Sequence, residues 1–166
     1  MQLPDAEELL IKLTEQMRPH VRPSTCLVGI YTGGVWLAER LAMALSLEQA
    51  VGSIDVSFYR DDYGRGAPLR RDLRRSNIPF EVEGANIVIV DDVLYTGRTL
   101  RAALNELFDY GRPARVDLAV LADRGGRELP IAARFCAAEI PIAMGQNLQL
   151  ERDAEERLTL SLIEPK

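Results

Sequence analysis

Ile87-Val-Ile-Val-Asp-Asp-Val-Leu-Tyr-Thr-Gly-Arg-Thr99 is the stretch on which the reading of this chain turns. Its first four residues are β-branched throughout, the pattern of a strand buried on both faces of a parallel sheet. The strand runs straight into Asp91 and Asp92, and Thr96, Gly97 and Thr99 then stand at the entrance of a helix. Ligands of open α/β sheets bind beyond the carboxyl ends of the strands. Backbone N–H groups at a helix start, among small and hydroxyl side chains, cradle an anion, and Gly97 lets a phosphate approach the backbone closely. Two carboxylates just ahead of that cradle would repel a phosphate. They suit the donor hydroxyls of a sugar, or a hydrated divalent cation. A ligand with a phosphate at one end and a vicinal diol beside it is a ribose 5-phosphate, so the spacing points to a phosphoribosyl group.

Working outward, the spacing of Leu9, Leu10, Leu13 and Met17 predicts a helix over residues 5–18, with Asp5 and Glu8 as a cap pair. Cys26 to Tyr31 reads as a buried strand broken by Thr32-Gly33-Gly34, and Val35 to Leu45 as a second helix. Gly52 to Tyr59 alternates as a strand with one wetter face. Ile87 to Val90 is a strand, Asp91 to Gly97 a loop, Arg98 to Tyr110 a helix ended by Gly111 and Pro113, and Val116 to Leu121 a further strand. Strand, helix, strand, helix, strand is the α/β signature of a parallel sheet with right-handed crossovers. After residue 123 short apolar pieces at 135–140, 148–150 and 158–163 predict a small antiparallel subdomain or an edge addition.

Composition removes several chemistries. The chain has 166 residues, 47% of them hydrophobic and 27% charged, with a net charge of −5. That fits a soluble globular protein of one domain. Its basic residues are eighteen arginines and only two lysines, Lys12 and Lys166. A P-loop, which needs Gly-Lys-Ser/Thr at a helix start, is excluded, and a Schiff-base lysine is disfavoured. The single imidazole, His20, cannot build a His-rich metal site. Cys26 and Cys136 lie in apolar runs as buried thiols rather than a disulfide framework. No stretch approaches the ~18 apolar residues of a membrane span, and the acidic, amphipathic N-terminus is unlike a signal peptide, so a cytoplasmic location is expected. The acidic balance also argues against broad nucleic-acid binding. Six arginines and three aspartates fall within residues 60–77, making a locally basic segment. It reads as an exposed mobile loop suited to a small polyanion.

Acidic pairs after apolar strands also occur in Walker B strands, which require the excluded P-loop. They occur in phosphoacceptor domains too, which place the pair at the first strand and a Lys near the last. A plain capped surface loop is the reading without a ligand.

Ile87 to Thr99 resembles the thirteen-residue phosphoribosyl-pyrophosphate motif of type I phosphoribosyltransferases. Tyr59-Arg-Asp-Asp62, Asn77-Ile-Pro-Phe80 and Asp123-Arg-Gly-Gly-Arg-Glu-Leu-Pro-Ile131 narrow the resemblance to the PyrR family, bifunctional pyrimidine-operon attenuators and uracil phosphoribosyltransferases. It covers about residues 28 to 150. It implies an α/β fold, a type I phosphoribosyltransferase-like parallel sheet flanked by helices with a small C-terminal hood. One domain would span 1–166, with a flexible loop at about 60–77 and the hood from about 124.

The resemblance implies roles as well. Asp91 and Asp92 would hold the ribose hydroxyls, with Arg60 the third catalytic residue on the closing loop. Thr96, Gly97, Arg98 and Thr99 would cradle the 5′-phosphate, with Val93, Leu94 and Tyr95 completing the run. Thr32 and Gly33 would form the pyrophosphate loop, and Arg124 and Leu148 would meet the base from the hood. Mg²⁺ is the implied cofactor, acting through Asp91, Asp92 and water. The implied substrates are phosphoribosyl pyrophosphate and uracil, giving UMP and pyrophosphate, in a homodimer or larger homo-oligomer. The alternative is a UMP- or UTP-sensing regulator that binds mRNA, with weak or no catalysis. Three departures from the family bear on these implications. Tyr31-Thr32-Gly33-Gly34 stands where PyrR proteins carry Lys-Thr-Arg-Gly, Gly126 where they commonly carry His, and Thr14-Glu15-Gln16 where a Thr-Arg pair faces RNA. The last two weaken the case for an RNA partner.

Overall fold

The computed structural model describes residues 1–57 and 76–164. Most of the predicted loop at 60–77, and with it Arg60, lies outside the described residues, as do Phe58 and Tyr59. Helix α1 spans Ala6–Met17, and Asp5 caps it by accepting hydrogen bonds from the N–H groups of Glu7 at 2.8 Å and Glu8 at 3.1 Å. These are two of the donors that a helix start leaves without partners. Strand β1 (Cys26–Ile30), helix α2 (Gly33–Ala44), strand β2 (Gly52–Ile54), strand β3 (Asn86–Leu94), helix α3 (Arg98–Phe108), strand β4 (Arg115–Asp123) and strand β5 (Phe135–Glu139) follow. Strands β6 (Asn147–Arg152) and β7 (Leu158–Ile163) complete the order.

The first five strands form one parallel sheet in the order β2-β1-β3-β4-β5. The chain therefore winds one way from β1 to β2 and the other way from β3 onward. The reversal places a crevice between the carboxyl ends of β1 and β3, where ligands of such sheets bind. Strand alternation divides the core. Val88, Val90, Ala119 and Leu121 pack with α1, α2 and the β6–β7 hairpin, while Ile87, Ile89, Leu118 and Val120 pack with α3. Leu13, Met17, Leu37 and Leu41 anchor the first layer, and Leu100, Ala103 and Leu107 the second.

Three sequence expectations are corrected or resolved. Asp91 to Leu94 is strand, not loop: β3 continues because β4 pairs alongside it, Asp91 opposite Val120, Val93 opposite Ala122 and Leu94 opposite Asp123. Strand β2 stops at Ile54, and Asp55 accepts hydrogen bonds from the N–H and hydroxyl of Ser57, which turns the backbone out of the ladder. Its outer edge is met by Asn77, paired with Ser53 through reciprocal N–H to carbonyl bonds of 2.8 Å. Of the C-terminal pieces, β5 is a parallel edge strand of the main sheet, whereas β6 and β7 form a separate antiparallel hairpin, the hood. The hairpin docks through Leu148, Leu150, Leu158 and Leu160 into the layer built on α1. Among the described residues, no helix is long and apolar enough to cross a membrane.

Candidate active site

The site is built where β1 and β3 end. Asp91 and Asp92 are 3% and 7% exposed. Carboxylates almost never reach such burial unless they are satisfied. Here the backbone holds them: Asp91 Oδ1 accepts from the Asp92 N–H and Asp92 Oδ1 from the Val93 N–H, both at 2.9 Å. The turn beyond β3 then closes through Thr96, whose Oγ1 accepts from the Arg98 N–H at 3.2 Å. Gly97 is the residue before α3 and has φ +95°, a backbone region costly for any residue with a Cβ. Helix α3 thus starts just beyond the strand that carries the carboxylates, with N–H groups in its first turn that have no partner within the helix.

The β1 end arrives from the other side. Thr32 precedes α2, which begins at Gly33, and the Tyr31–Thr32 peptide is cis. A Cβ on Gly33 would lie 2.6 Å from Asp92 Oδ2, so the Thr32–Gly33 turn abuts the acidic pair. The start of α2 therefore meets the Asp92 carboxylate, and the start of α3 follows from the same strand end. The positive ends suit phosphate groups and the carboxylates suit hydroxyls or a cation.

Among the described residues no group of three or more His, Cys, Asp or Glu side chains could hold a metal ion. Two hard oxygen donors fit Mg²⁺ bound in the manner that leaves its remaining positions to substrate oxygens and water. The residues present fit that cofactor, with Asp91 and Asp92 as the groups that would hold it.

The run from Tyr95 onward is braced by the segment after β4. The Thr96 carbonyl accepts from the N–H groups of Glu128 and Leu129 at 2.9 and 3.1 Å, and the Leu94 carbonyl from Arg124 N–H at 3.0 Å. Arg127 donates to the Tyr95 carbonyl and pairs with Asp123 at 2.5 Å. Arg98 contributes its backbone to the turn, while its guanidinium pairs with Glu128 at 2.8 Å. Thr99, in the first turn of α3, is half-buried.

Of the predicted hood contacts, Arg124 stacks over the Tyr95 ring, its guanidinium carbon 3.9 Å from the centroid, and its Nη1 donates to Asn147 Oδ1 at 3.1 Å. Leu148 is buried at 8% exposure in the α1 layer, so its neighbour Asn147 is the hood residue that reaches Arg124. Sequence reasoning missed Arg127 and Asn147. Arg127 lay in plain view within Asp123-Arg-Gly-Gly-Arg127, but nothing local told which arginine would brace the turn. His20 lies far from this edge: its Nδ1 is 3.2 Å from the Arg134 guanidinium Nη2 and its ring packs on Phe135, at the start of β5. Both cysteines are free, and burial pushes both thiols above their ordinary range.

A doubly braced turn after a strand, a buried acidic pair at that strand's end and a parallel sheet whose order reverses at the same edge are the frame of a phosphoribosyl transferase domain. Residues 2–151 match the phosphoribosyl transferase domain family. A protein of Pseudomonas paraeruginosa described as "Bifunctional protein PyrR" is 49% identical over 164 residues, covering 95% of this chain and 90% of that one. A protein of the same description from Ralstonia nicotianae is 46% identical over 155 residues, covering 91% and 88%. The chain belongs to the PyrR family of type I phosphoribosyltransferases. Among solved structures, the hypoxanthine phosphoribosyltransferase of Trypanosoma cruzi superposes with a TM-score of 0.66 at 23% identity, covering 99% of this chain and 96% of that one. At that identity the likeness shows the shared fold.

Proposed function

We propose that the chain transfers the phosphoribosyl group of phosphoribosyl pyrophosphate to uracil, giving UMP and pyrophosphate. The observation that carries this reading is the meeting of Gly33 with Asp92, which joins a pyrophosphate turn to a ribose-binding acidic pair at the sheet's reversal. Membership of the PyrR family supports uracil as the base. N1 of uracil bonds to the anomeric carbon, the bond from that carbon to the pyrophosphate oxygen breaks with its electron pair leaving on pyrophosphate, and the N1 proton passes to solvent. No side-chain nucleophile takes part, in keeping with a chain of two lysines and one histidine. Asp91 and Asp92 orient the ribose through its hydroxyls, and the N-terminal N–H groups of α3 hold the 5′-phosphate. Mg²⁺, when bound, offsets the charge gathering on the leaving group. An assay with uracil, phosphoribosyl pyrophosphate and Mg²⁺, beside hypoxanthine, guanine and orotate, tests the reading. UMP formation exceeding every other product is expected, and no UMP above background overturns it.

The name "bifunctional" borne by the relatives favours a second reading, a nucleotide-dependent RNA regulator. The α1 positions expected to face RNA speak for the enzyme instead. Thr14 is buried and donates to the Leu10 carbonyl at 2.8 Å, Glu15 pairs with Arg18 at 3.0 Å, and Gln16 donates to the Cys136 carbonyl at 3.0 Å. Titrating pyrimidine-operon leader RNA across a salt series, with and without UMP, decides between the two. Tight binding that requires UMP would establish the regulator.

A further inference from the structure

We propose that Tyr95 and Asn147 are positioning residues for the base: together they hold the Arg124 guanidinium as a reader of the carbonyl oxygens of a pyrimidine. The inference rests on the base transfer proposed above. Tyr95 lies between Asp92 and Thr96, within the same turn that receives sugar and phosphate, yet its ring face carries Arg124 at 3.9 Å. Cations over aromatic faces are held by the ring quadrupole, and the hold strengthens as water is excluded. From the hood, Asn147 Oδ1 accepts a hydrogen bond from the edge of the guanidinium, at Nη1, at 3.1 Å. The Arg124 Nε–H is buried and meets no acceptor among the described residues. A buried donor without a partner is costly in a finished core, and among the described residues this fork keeps one such donor.

The ring itself is held as firmly as the arginine. Arg127 anchors the Tyr95 carbonyl, and the chain passes so closely around the ring that a Cβ on Gly126 would sit 2.5 Å from Tyr95 Cε2. The Arg124 N–H bonds the Leu94 carbonyl, one residue before Tyr95. The phosphate turn and the base reader are therefore one braced unit. It is the face of the ring, not the hydroxyl, that the arginine uses.

The test compares the full-length chain with Tyr95→Ala, Tyr95→Phe and Asn147→Ala. Calorimetry with UMP and with ribose 5-phosphate isolates the base, and steady-state kinetics gives KM for uracil and for phosphoribosyl pyrophosphate separately. In Tyr95→Ala and Asn147→Ala the ratio of UMP to ribose 5-phosphate affinity should fall about tenfold. In Asn147→Ala, which lies outside the turn that carries Tyr95, ribose 5-phosphate affinity should stay within about twofold, and KM for uracil should rise while KM for phosphoribosyl pyrophosphate holds. Tyr95→Phe should restore the ratio to within about twofold of the parent. An unchanged ratio, an equal loss for both ligands, or a Tyr95→Phe variant as impaired as Tyr95→Ala overturns the proposal. If the unaltered protein turns over another base in preference to uracil, the uracil assignment fails by itself. The positioning role then stands or falls on the same ratio, measured with that base's nucleotide.

Discussion

Gly33 and Asp92, fifty-nine positions apart in sequence, touch: a Cβ on the glycine would fall 2.6 Å from a carboxylate oxygen of the aspartate. The turn after β1 can reach the acidic pair only because nothing larger than hydrogen projects from its glycine. Gly33→Ala must displace either the α2 start or the Asp92 carboxylate. We expect a stability cost of about 1–3 kcal/mol from overpacking. A fall of about 100-fold in kcat/KM should accompany it, since a misplacement near 1 Å in a positioning site has that effect. Denaturant melts and steady-state assays of the variant check both figures, and a variant with parental activity would show that the contact does not matter.

Asp92→Asn separates charge from architecture. The Asn Oδ1 can still accept from the Val93 N–H that now bonds Asp92 Oδ1 at 2.9 Å. The fold should therefore persist, with a melting temperature within about 5 °C of the parent. Activity should fall by about 100-fold or more, because the group proposed to face the ribose and cation is then neutral. Circular dichroism melts beside a UMP-formation assay give the two readouts.

Removing divalent cations should abolish turnover while leaving the fold intact. Two carboxylates, with no third ligand of that kind among the described residues, make a weak site until substrate oxygens arrive. Dialysis against a chelator should therefore leave the unliganded melting temperature unchanged, and added Mg²⁺ should restore UMP formation. Full activity after chelation would remove the metal from the scheme.

Glu7 ties three elements together and makes stability depend on pH. Its carboxylate accepts from Arg40 of α2 at 2.6 Å and from the Leu158 N–H of β7 at 2.9 Å. The Arg40 hydrogen bond holds the Glu7 carboxyl below its ordinary value, against burial, which pushes it up, and with help from the Leu158 N–H. A carboxyl held low in the folded state stabilises it above the ordinary glutamate range and loses that contribution as pH falls through the lowered value. Glu7→Gln should cost about 1 kcal/mol at pH 7. The difference from the parent should shrink below about pH 4. Urea melts at pH 7 and at acid pH measure the two gaps.

How much of this was legible before the structure varies by element. The adjacent carboxylates at a strand end, the Thr96-Gly97 turn before a helix and the order of strands and helices all follow from local pattern, because β-branched runs, helical spacing and glycine placement act over a few residues. The end of β3 was not legible: Asp91 and Asp92 look like loop residues, and only the β4 ladder beside them keeps the strand going to Leu94. The direction of β5 was equally hidden, since a short apolar run reads the same whether it pairs parallel or antiparallel. Arg98 illustrates the limit within the site. Its place in the motif is evident, but its guanidinium is turned to Glu128, thirty residues on.

The sequence by itself determined the chemistry on offer: lysine scarcity, one histidine, two adjacent carboxylates and a glycine-threonine turn leave phosphoribosyl binding without a side-chain nucleophile. Only the tertiary structure decided which distant residues share the site. It set Gly33 against Asp92, turned Arg124 onto Tyr95 and brought Asn147 from the hood to meet it. The reason is physical: composition and spacing act along the chain, whereas these contacts depend on the parallel register of β1, β3 and β4 and on the packing of the hairpin against α1.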